Sequence, residues 1–267
     1  MIIIGEKING SIPSVAKAIA NKDVAFIQNL AKRQTEVGVD FIDVCASVKD
    51  EIELETMKWL IDLVQEVTDT PLAVDSPNTA ICAQVLKFCH KSGLVNSVSL
   101  EGDKIKQVFP VIADTDWQCV ALLCDDAGIP KTAERRIKIF KEILKQAKEY
   151  GIKPSRLHID PLVEMLCTSE DGVLMMTNVI REIKTIEPSV HVTGAVSNIS
   201  FNLPYRRIVN MGFTVLSMQA GMDSAILDPL NRDLRGIIFA TEAMLGNDEY
   251  CMEYIEAYRD DIFGDQK

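Results

Sequence analysis

Carboxylates and amides stand at the ends of short apolar runs throughout this chain, and they are its best-placed groups for chemistry. Asn9 follows Ile2-Ile3-Ile4, Asp43 lies within Phe41-Ile42-Asp43-Val44, Asp75 follows Leu72-Ala73-Val74, and Asn96 closes Leu94-Val95-Asn96. Asp125 and Asp126 follow Val120-Ala121-Leu122-Leu123, and Asp160 follows Leu157-His158-Ile159. Asn198 comes after Val192-Thr193-Gly194-Ala195-Val196, and Gln219 after Val215-Leu216-Ser217-Met218. Such a ring, with no Lys or Arg cluster, suits neither a phosphate nor an acidic substrate. It suits a heterocycle with several N–H donors and a carbonyl, such as a 2-amino-4-oxo pyrimidine. One buried carboxylate can accept two hydrogen bonds from that ring, each worth roughly 1.5–3 kcal/mol.

Each residue also has a plainer reading. Asp75-Ser76-Pro77 fits a helix N-cap followed by proline, and Asp160-Pro161 fits a turn. Asn96 and Asn198 are ordinary turn residues when taken singly. Recurrence at so many run ends sets the ring apart. Asp75 and Asp160 could instead be the acid–base pair of a hydrolase or hold magnesium. His90, on a helical pattern, and His158 and His191, within or entering strands, offer no triad and read as packing residues. Core packing is also the reading for Met218 and Met222. Cys82, Cys89 and His90 lack zinc-clip spacing, so no protein-bound metal is expected.

The elements that must position the ring follow from the same runs. There are eight, nearly continuous in apolarity, as strands covered on both faces of a parallel sheet are. Helical patterns separate them; the clearest covers Thr132 to Tyr150, with Ile137, Phe140, Leu144 and Ala147 on one stripe. Gly38, Gly93, Gly151 and Gly212 each fall after a helical pattern and before an apolar run, where helices stop. Eight βα units predict a single (β/α)8 TIM barrel over residues 1–267, a fold that typically takes ~250 residues. A doubly wound sheet is the alternative, but no G-x-G-x-x-G or Walker loop accompanies it.

Composition narrows the partners. The 267 residues carry 28 Lys+Arg against 39 Asp+Glu, a formal charge of −11 that argues against nucleic acid and anionic membranes. No run is long enough to span a bilayer, and the first residues lack the pattern of a signal peptide. The seven scattered cysteines fit reduced thiols in a cytoplasm.

Six segments in order carry a resemblance: Ile4-Gly5-Glu6-Lys7-Ile8-Asn9-Gly10, Ala73-Val74-Asp75-Ser76, Val95-Asn96-Ser97, Ile159-Asp160-Pro161-Leu162, Gly194-Ala195-Val196-Ser197-Asn198-Ile199-Ser200 and Ala220-Gly221-Met222-Asp223. Together they resemble the methyltetrahydrofolate:corrinoid-protein methyltransferases of the pterin-binding TIM-barrel superfamily, from about Ile3 to about Tyr254. The resemblance implies that Asp75, Asn96 and Asp160 hold the pterin, that Asn198 reaches its N5, and that Ser197 and Arg206 lie near the rest of the folate. It implies tetrahydrofolate as substrate, cobalamin carried on a separate corrinoid protein, and a homodimer. Cys45 stands where relatives commonly have Asn, so no role is carried over to it. Dihydropteroate synthase, the sister family, would need an Arg and a His at the eighth strand end, read here as Met218-Gln219-Ala220-Gly221. A non-catalytic folate-binding protein is a further alternative; it would have no use for an amide at N5.

Overall fold

The computed structural model describes residues 1–169 and 171–265. Its strands are β1 (Ile2–Asn9), β2 (Phe41–Cys45), β3 (Leu72–Asp75), β4 (Leu94–Leu100), β5 (Gln118–Asp125), β6 (Leu157–Asp160), β7 (His191–Val192) and β8 (Ser224–Leu227). They pair in parallel in the order β7-β6-β5-β4-β3-β2-β1-β8. Backbone bonds from Asp223 N to Val192 O (3.2 Å) and from Ile226 N to Gly194 O (3.0 Å) join the two ends, closing the predicted barrel.

Ten helices lie among the described residues: α1 (Pro13–Ala20), α2 (Val24–Glu36), α3 (Asp50–Gln65), α4 (Thr79–Val85), α5 (Lys104–Ile112), α6 (Ala133–Glu149), α7 (Gly172–Ile186), α8 (Arg206–Ala220), α9 (Arg232–Met244) and α10 (Met252–Arg259). Their starts follow local chemistry. Thr132 caps α6 by accepting from Arg135 N at 3.3 Å, Asp23 caps α2 through Phe26 N at 3.1 Å, and Asn231 caps α9 through Leu234 N at 3.1 Å.

Two apolar cores result from strand pleating. Alternate residues such as Ile42, Val44, Leu72 and Val74 face outward into the layer shared with the helices. The others, Ile4, Phe41, Ala73, Leu94, Val120 and Ile226, meet inside the barrel and plug it. A plugged barrel is a packed core, so ligands are left its mouth.

The eighth strand is not where the sequence placed it. Val215-Leu216-Ser217-Met218 belongs to α8, whose buried residues Phe213, Thr214, Ser217 and Met218 recur at helical spacing while Leu216 is 52% exposed. A four-residue apolar run has no periodicity of its own to separate strand from helix. Gly212 therefore sits inside the helix. The true stop is Gly221, at φ +115°, after which the fully buried Ser224–Leu227 forms β8. Gly93 has another role too: a Cβ there would lie 2.0 Å from the Leu72 carbonyl oxygen, so its small size lets β4 approach β3. Gly38 and Gly151 end helices as expected. The seventh run is shorter than expected, and His90 lies beyond α4 in a bend.

Candidate active site at the barrel mouth

Two residues beyond the plug the side chains turn polar on most strands, with Leu122 after Val120 the apolar exception. Ile4 leads to Glu6, Phe41 to Asp43, Ala73 to Asp75, Leu94 to Asn96, His158 to Asp160 and Ile226 to Asp228. Because strand side chains alternate with period two, all of them inherit the inward direction. Register sets their height: Asn9 pairs with Cys45, Cys45 with Asp75, and Asp75 with Asn96. The mouth is a ring of carboxyls floored by hydrocarbon.

Within it, Asn96 Nδ2 donates to Asp43 Oδ1 at 3.2 Å, and the Ser197 hydroxyl donates to Glu6 Oε2 at 3.4 Å. Burial pushes the Asp43 carboxyl up, and the nearby Asp75 charge pushes it further. Asp75 and Asp160 are each raised to about 6, mainly by desolvation. Glu6 is raised by burial and by Asp228. The neighbouring Cys45 thiol favours the Asp75 anion, while its own burial and the Asp75 charge hold it protonated. Carboxyls in this state gain from any ligand that brings N–H donors and restores their charge.

The capping reading of Asp75 fails, because Asn78 is the N-cap of α4 and accepts from Ala80 N at 3.1 Å. The turn reading of Asp160 holds alongside the site reading: its Oδ1 accepts from Leu162 N at 2.7 Å and leaves Oδ2 for a ligand. Arg136, fully buried, fastens that loop through the Pro161 and Leu162 carbonyls and Glu164.

Asn198 occupies a short 3-10 turn, Val196–Ser200, at the lip of the mouth. Its side chain is exposed and has no hydrogen-bond partner among the described residues. Arg206, at the start of α8, donates from Nη2 to Ser197 O at 2.6 Å and from Nε to Ser200 Oγ at 3.0 Å, fixing the turn. Glu6, Ser197, Arg206, Asn210, Asp228 and Asn231 line an open cleft of about 260 Å³ running outward from the mouth. Asp75, Asn96, Asp160, Ser197, Asn198 and Arg206 thus belong to one face of the barrel.

Other members of the predicted ring do not join it. Asn9 Oδ1 accepts from Ser11 N at 2.9 Å in a local turn. Asp125 pairs with Arg135, and Asp126 accepts from Gly102 N at 2.8 Å on the outer rim. Gln219, a casualty of the misplaced strand, accepts from Arg181 Nη2 at 2.7 Å between α7 and α8. His158 packs in the barrel floor, with Ser224 Oγ at 2.9 Å and Gln118 Oε1 at 2.6 Å. Among the described residues no three His, Cys, Asp or Glu side chains are grouped to hold a metal ion. Glu6 and Asp228 are additions the sequence reading gave no role. Their two-residue spacing from Ile4 and Ile226 is a signal, but the second was hidden until β8 was located.

The barrel and the carboxyl-lined mouth define a pterin-binding enzyme. Residues 6–228 match the model of that family, and the chain belongs to it. It is 49% identical over 266 residues to the methylcorrinoid:tetrahydrofolate methyltransferase of Eubacterium limosum, covering 99% of this chain and 98% of the relative. It is 28% identical over 251 residues to the methionine synthase of Mycobacterium tuberculosis, covering 87% of this chain and 21% of that longer protein. Among solved structures, a Clostridium difficile dihydropteroate synthase in the presence of pteroic acid shares the fold at a TM-score of 0.68 and 19% identity, over 91% of this chain and 96% of that one. A Yersinia pestis dihydropteroate synthase does so at 0.66 and 15%, over 92% and 94%.

Proposed function

We propose that this chain moves a methyl group between N5 of tetrahydrofolate and the cobalt of a separate corrinoid protein, in either direction. The observation that carries the reading is an unpartnered amide, Asn198, at the open lip above buried pterin-type carboxyls. The relative at 49% identity is named for this reaction, written from methylcorrinoid to tetrahydrofolate.

In this scheme Asp75, Asp160 and Asn96 grip the pterin edge, and Asp43 orients the Asn96 amide. Ser197 and Arg206 border the rest of the folate. Toward folate, the N5 lone pair attacks the methyl carbon, the cobalt–carbon pair stays on cobalt, and N5 sheds its proton. In reverse, N5 is a poor leaving group unless a donor steadies its lone pair. An amide serves both directions because it can present either its N–H or its oxygen. A preorganised donor of this type is worth roughly 2.7–4 kcal/mol.

The synthase alternative is disfavoured at the correct strand end as well. β8 runs into Leu227-Asp228-Pro229, with a carboxylate in place of the expected cations, and Asp228 holds Lys7 Nζ at 2.8 Å. The first cation beyond, Arg232, is spent on the Gly264 carbonyl (2.9 Å) and the Asp261 carboxylate (2.7 Å). A homodimer, a cytoplasmic location and the absence of a resident metal complete the proposal. The test mixes the protein with tetrahydrofolate and a cobalamin-binding protein reconstituted with methylcobalamin. The methylcobalt spectrum should convert to that of cobalt(I) as methyltetrahydrofolate appears one for one; tight folate binding with no spectral change would leave only a binding protein.

A further inference from the structure

The lip around Asn198 is unevenly built. On the loops that follow β6 and β7, three large apolar side chains stand in water: Leu166 at 43% exposure, Phe201 at 53% and Tyr205 at 64%. They belong to one patch, because the Cys167 thiol donates to the Phe201 carbonyl at 3.7 Å and joins the two loops. The patch is also contiguous with the site, since Phe201 N donates to the Asn198 carbonyl at 3.2 Å.

These side chains are held rather than loose. The Arg206 guanidinium sits 5.6 Å from the Phe201 ring centre, and Arg207 sits 5.0 Å from that of Tyr205 while donating to its hydroxyl at 2.6 Å. Asn202 and Tyr205 have φ of +64° and +51°, a left-handed backbone that non-glycine residues adopt at a cost. The fold thus spends strain and cation–π contacts to display aromatic surface that it does not bury. Rigid aromatics flanked by arginine are what anchor protein interfaces. Across the mouth, the facing rim exposes Asp50, Glu51 and Asp126 beside Lys49, while Asp103 is paired with Lys106 at 2.7 Å, so that rim carries charge rather than apolar surface. A partner meeting both rims needs an apolar face with acidic or amide edges on one side only.

We propose that Leu166, Phe201 and Tyr205 are the landing surface for the corrinoid protein, fixing its approach from the β6–β7 side so that cobalt arrives over Asn198. The inference rests on the methyl-transfer reading, and it adds to that reading the surface by which the partner is recognised.

The test compares wild type with the double variant Tyr205→Asn, Leu166→Ser, in which Asn tolerates the left-handed backbone. Three quantities are read: KM for a cobalamin-binding protein reconstituted with methylcobalamin, the rate with free methylcobalamin, and tetrahydrofolate affinity by calorimetry. The expected result is a rise of tenfold or more in the protein KM, with the free-methylcobalamin rate and folate affinity unchanged. An unchanged protein KM overturns the proposal, as does an equal loss with free methylcobalamin, which would place the patch in the site's own structure. Sedimentation showing that the variant splits a wild-type dimer would assign the patch to a second copy of this chain and overturn it too. Failure of wild type to transfer methyl to folate from either source would remove the methyl-transfer reading itself.

Discussion

In the proposed reaction, Asn198 would serve reactivity and the carboxyls beneath it would serve binding. Asn198 has no partner to hold it in one orientation, so its contribution comes when N5 changes character, and Asn198→Ala should lower kcat roughly 100- to 1000-fold with little change in folate affinity. Steady-state kinetics beside calorimetry separate the two, and parallel losses would reduce Asn198 to a binding group. Asp75→Ala and Asp160→Ala should behave in the opposite way. Each removes a charged acceptor worth roughly 1.5–3 kcal/mol per hydrogen bond and should weaken folate binding by about 10- to 100-fold. The same two residues set a pH dependence. In the free protein both titrate at about 6, and bound N–H donors would lower them. Affinity should therefore climb as pH rises through 6 and level off above it, with protons released on binding below that point. Titrations in buffers of differing ionisation enthalpy measure that release directly; affinity flat between pH 5 and 7.5 would contradict the assignment.

At the scale of elements, the sequence reading was strongest where apolar runs met helical patterns of unmistakable period, as at Thr132 to Tyr150 and in the first six strands. It failed at Val215–Met218, where a short apolar run in a buried helix carries the same composition as a strand. That single slip moved Gln219 into the ring and kept Asp228 out of it. Asp75, Asn96 and Asp160 were legible because each ends its strand run. Glu6 was harder to see, since it follows Gly5 and stands two residues past its apolar run instead of closing it. Support from beyond the strand was invisible to local pattern. Glu53, buried on α3, accepts from the Ser76 hydroxyl at 2.5 Å, and Ser76 Oγ in turn accepts from Asn78 N at 3.0 Å, so one carboxylate steers the loop just after Asp75. Glu53 also raises the Asp75 pKa through its charge. Glu53→Gln keeps an acceptor for Ser76 and removes that charge, so the pH midpoint of folate binding should move down while affinity at pH 8 is retained. A midpoint unmoved by the change would show that Glu53 acts on the loop's shape alone.

The whole molecule carries these local shifts into its stability. Asp75 and Asp160 bind protons more tightly when folded, at about 6 against an ordinary 3.8, and Asp43 and Glu6 are shifted the same way. Between pH 4 and 6 the folded state therefore holds more protons at Asp75 and Asp160, and they stabilise the fold increasingly as pH falls through 6. Self-repulsion from a formal charge of −11 eases over the same range and adds to the trend. His158 opposes it: burial lowers its pKa from 6.5 to about 3, so the unfolded chain takes up the proton and stability is lost as pH drops below 6.5. Asp223, lowered to about 2 beside His191 and Lys184, loses its contribution only below about 4. Asp75 and Asp160, each raised to about 6, outweigh the one depressed imidazole, and Asp43 and Glu6 shift in the same direction. The free protein should gain thermal stability on going from pH 7.5 to 5.5, whereas the extra stabilisation conferred by folate should shrink over that interval if, as proposed, the ligand binds the ionised carboxyls that acid removes. Melting curves with and without tetrahydrofolate test both slopes in one experiment. Asp75→Asn combined with Asp160→Asn should flatten the first slope and abolish the second; a free protein that loses stability over that interval would mean the mouth carboxyls are already ionised and the ring is not the proton-storing site described above.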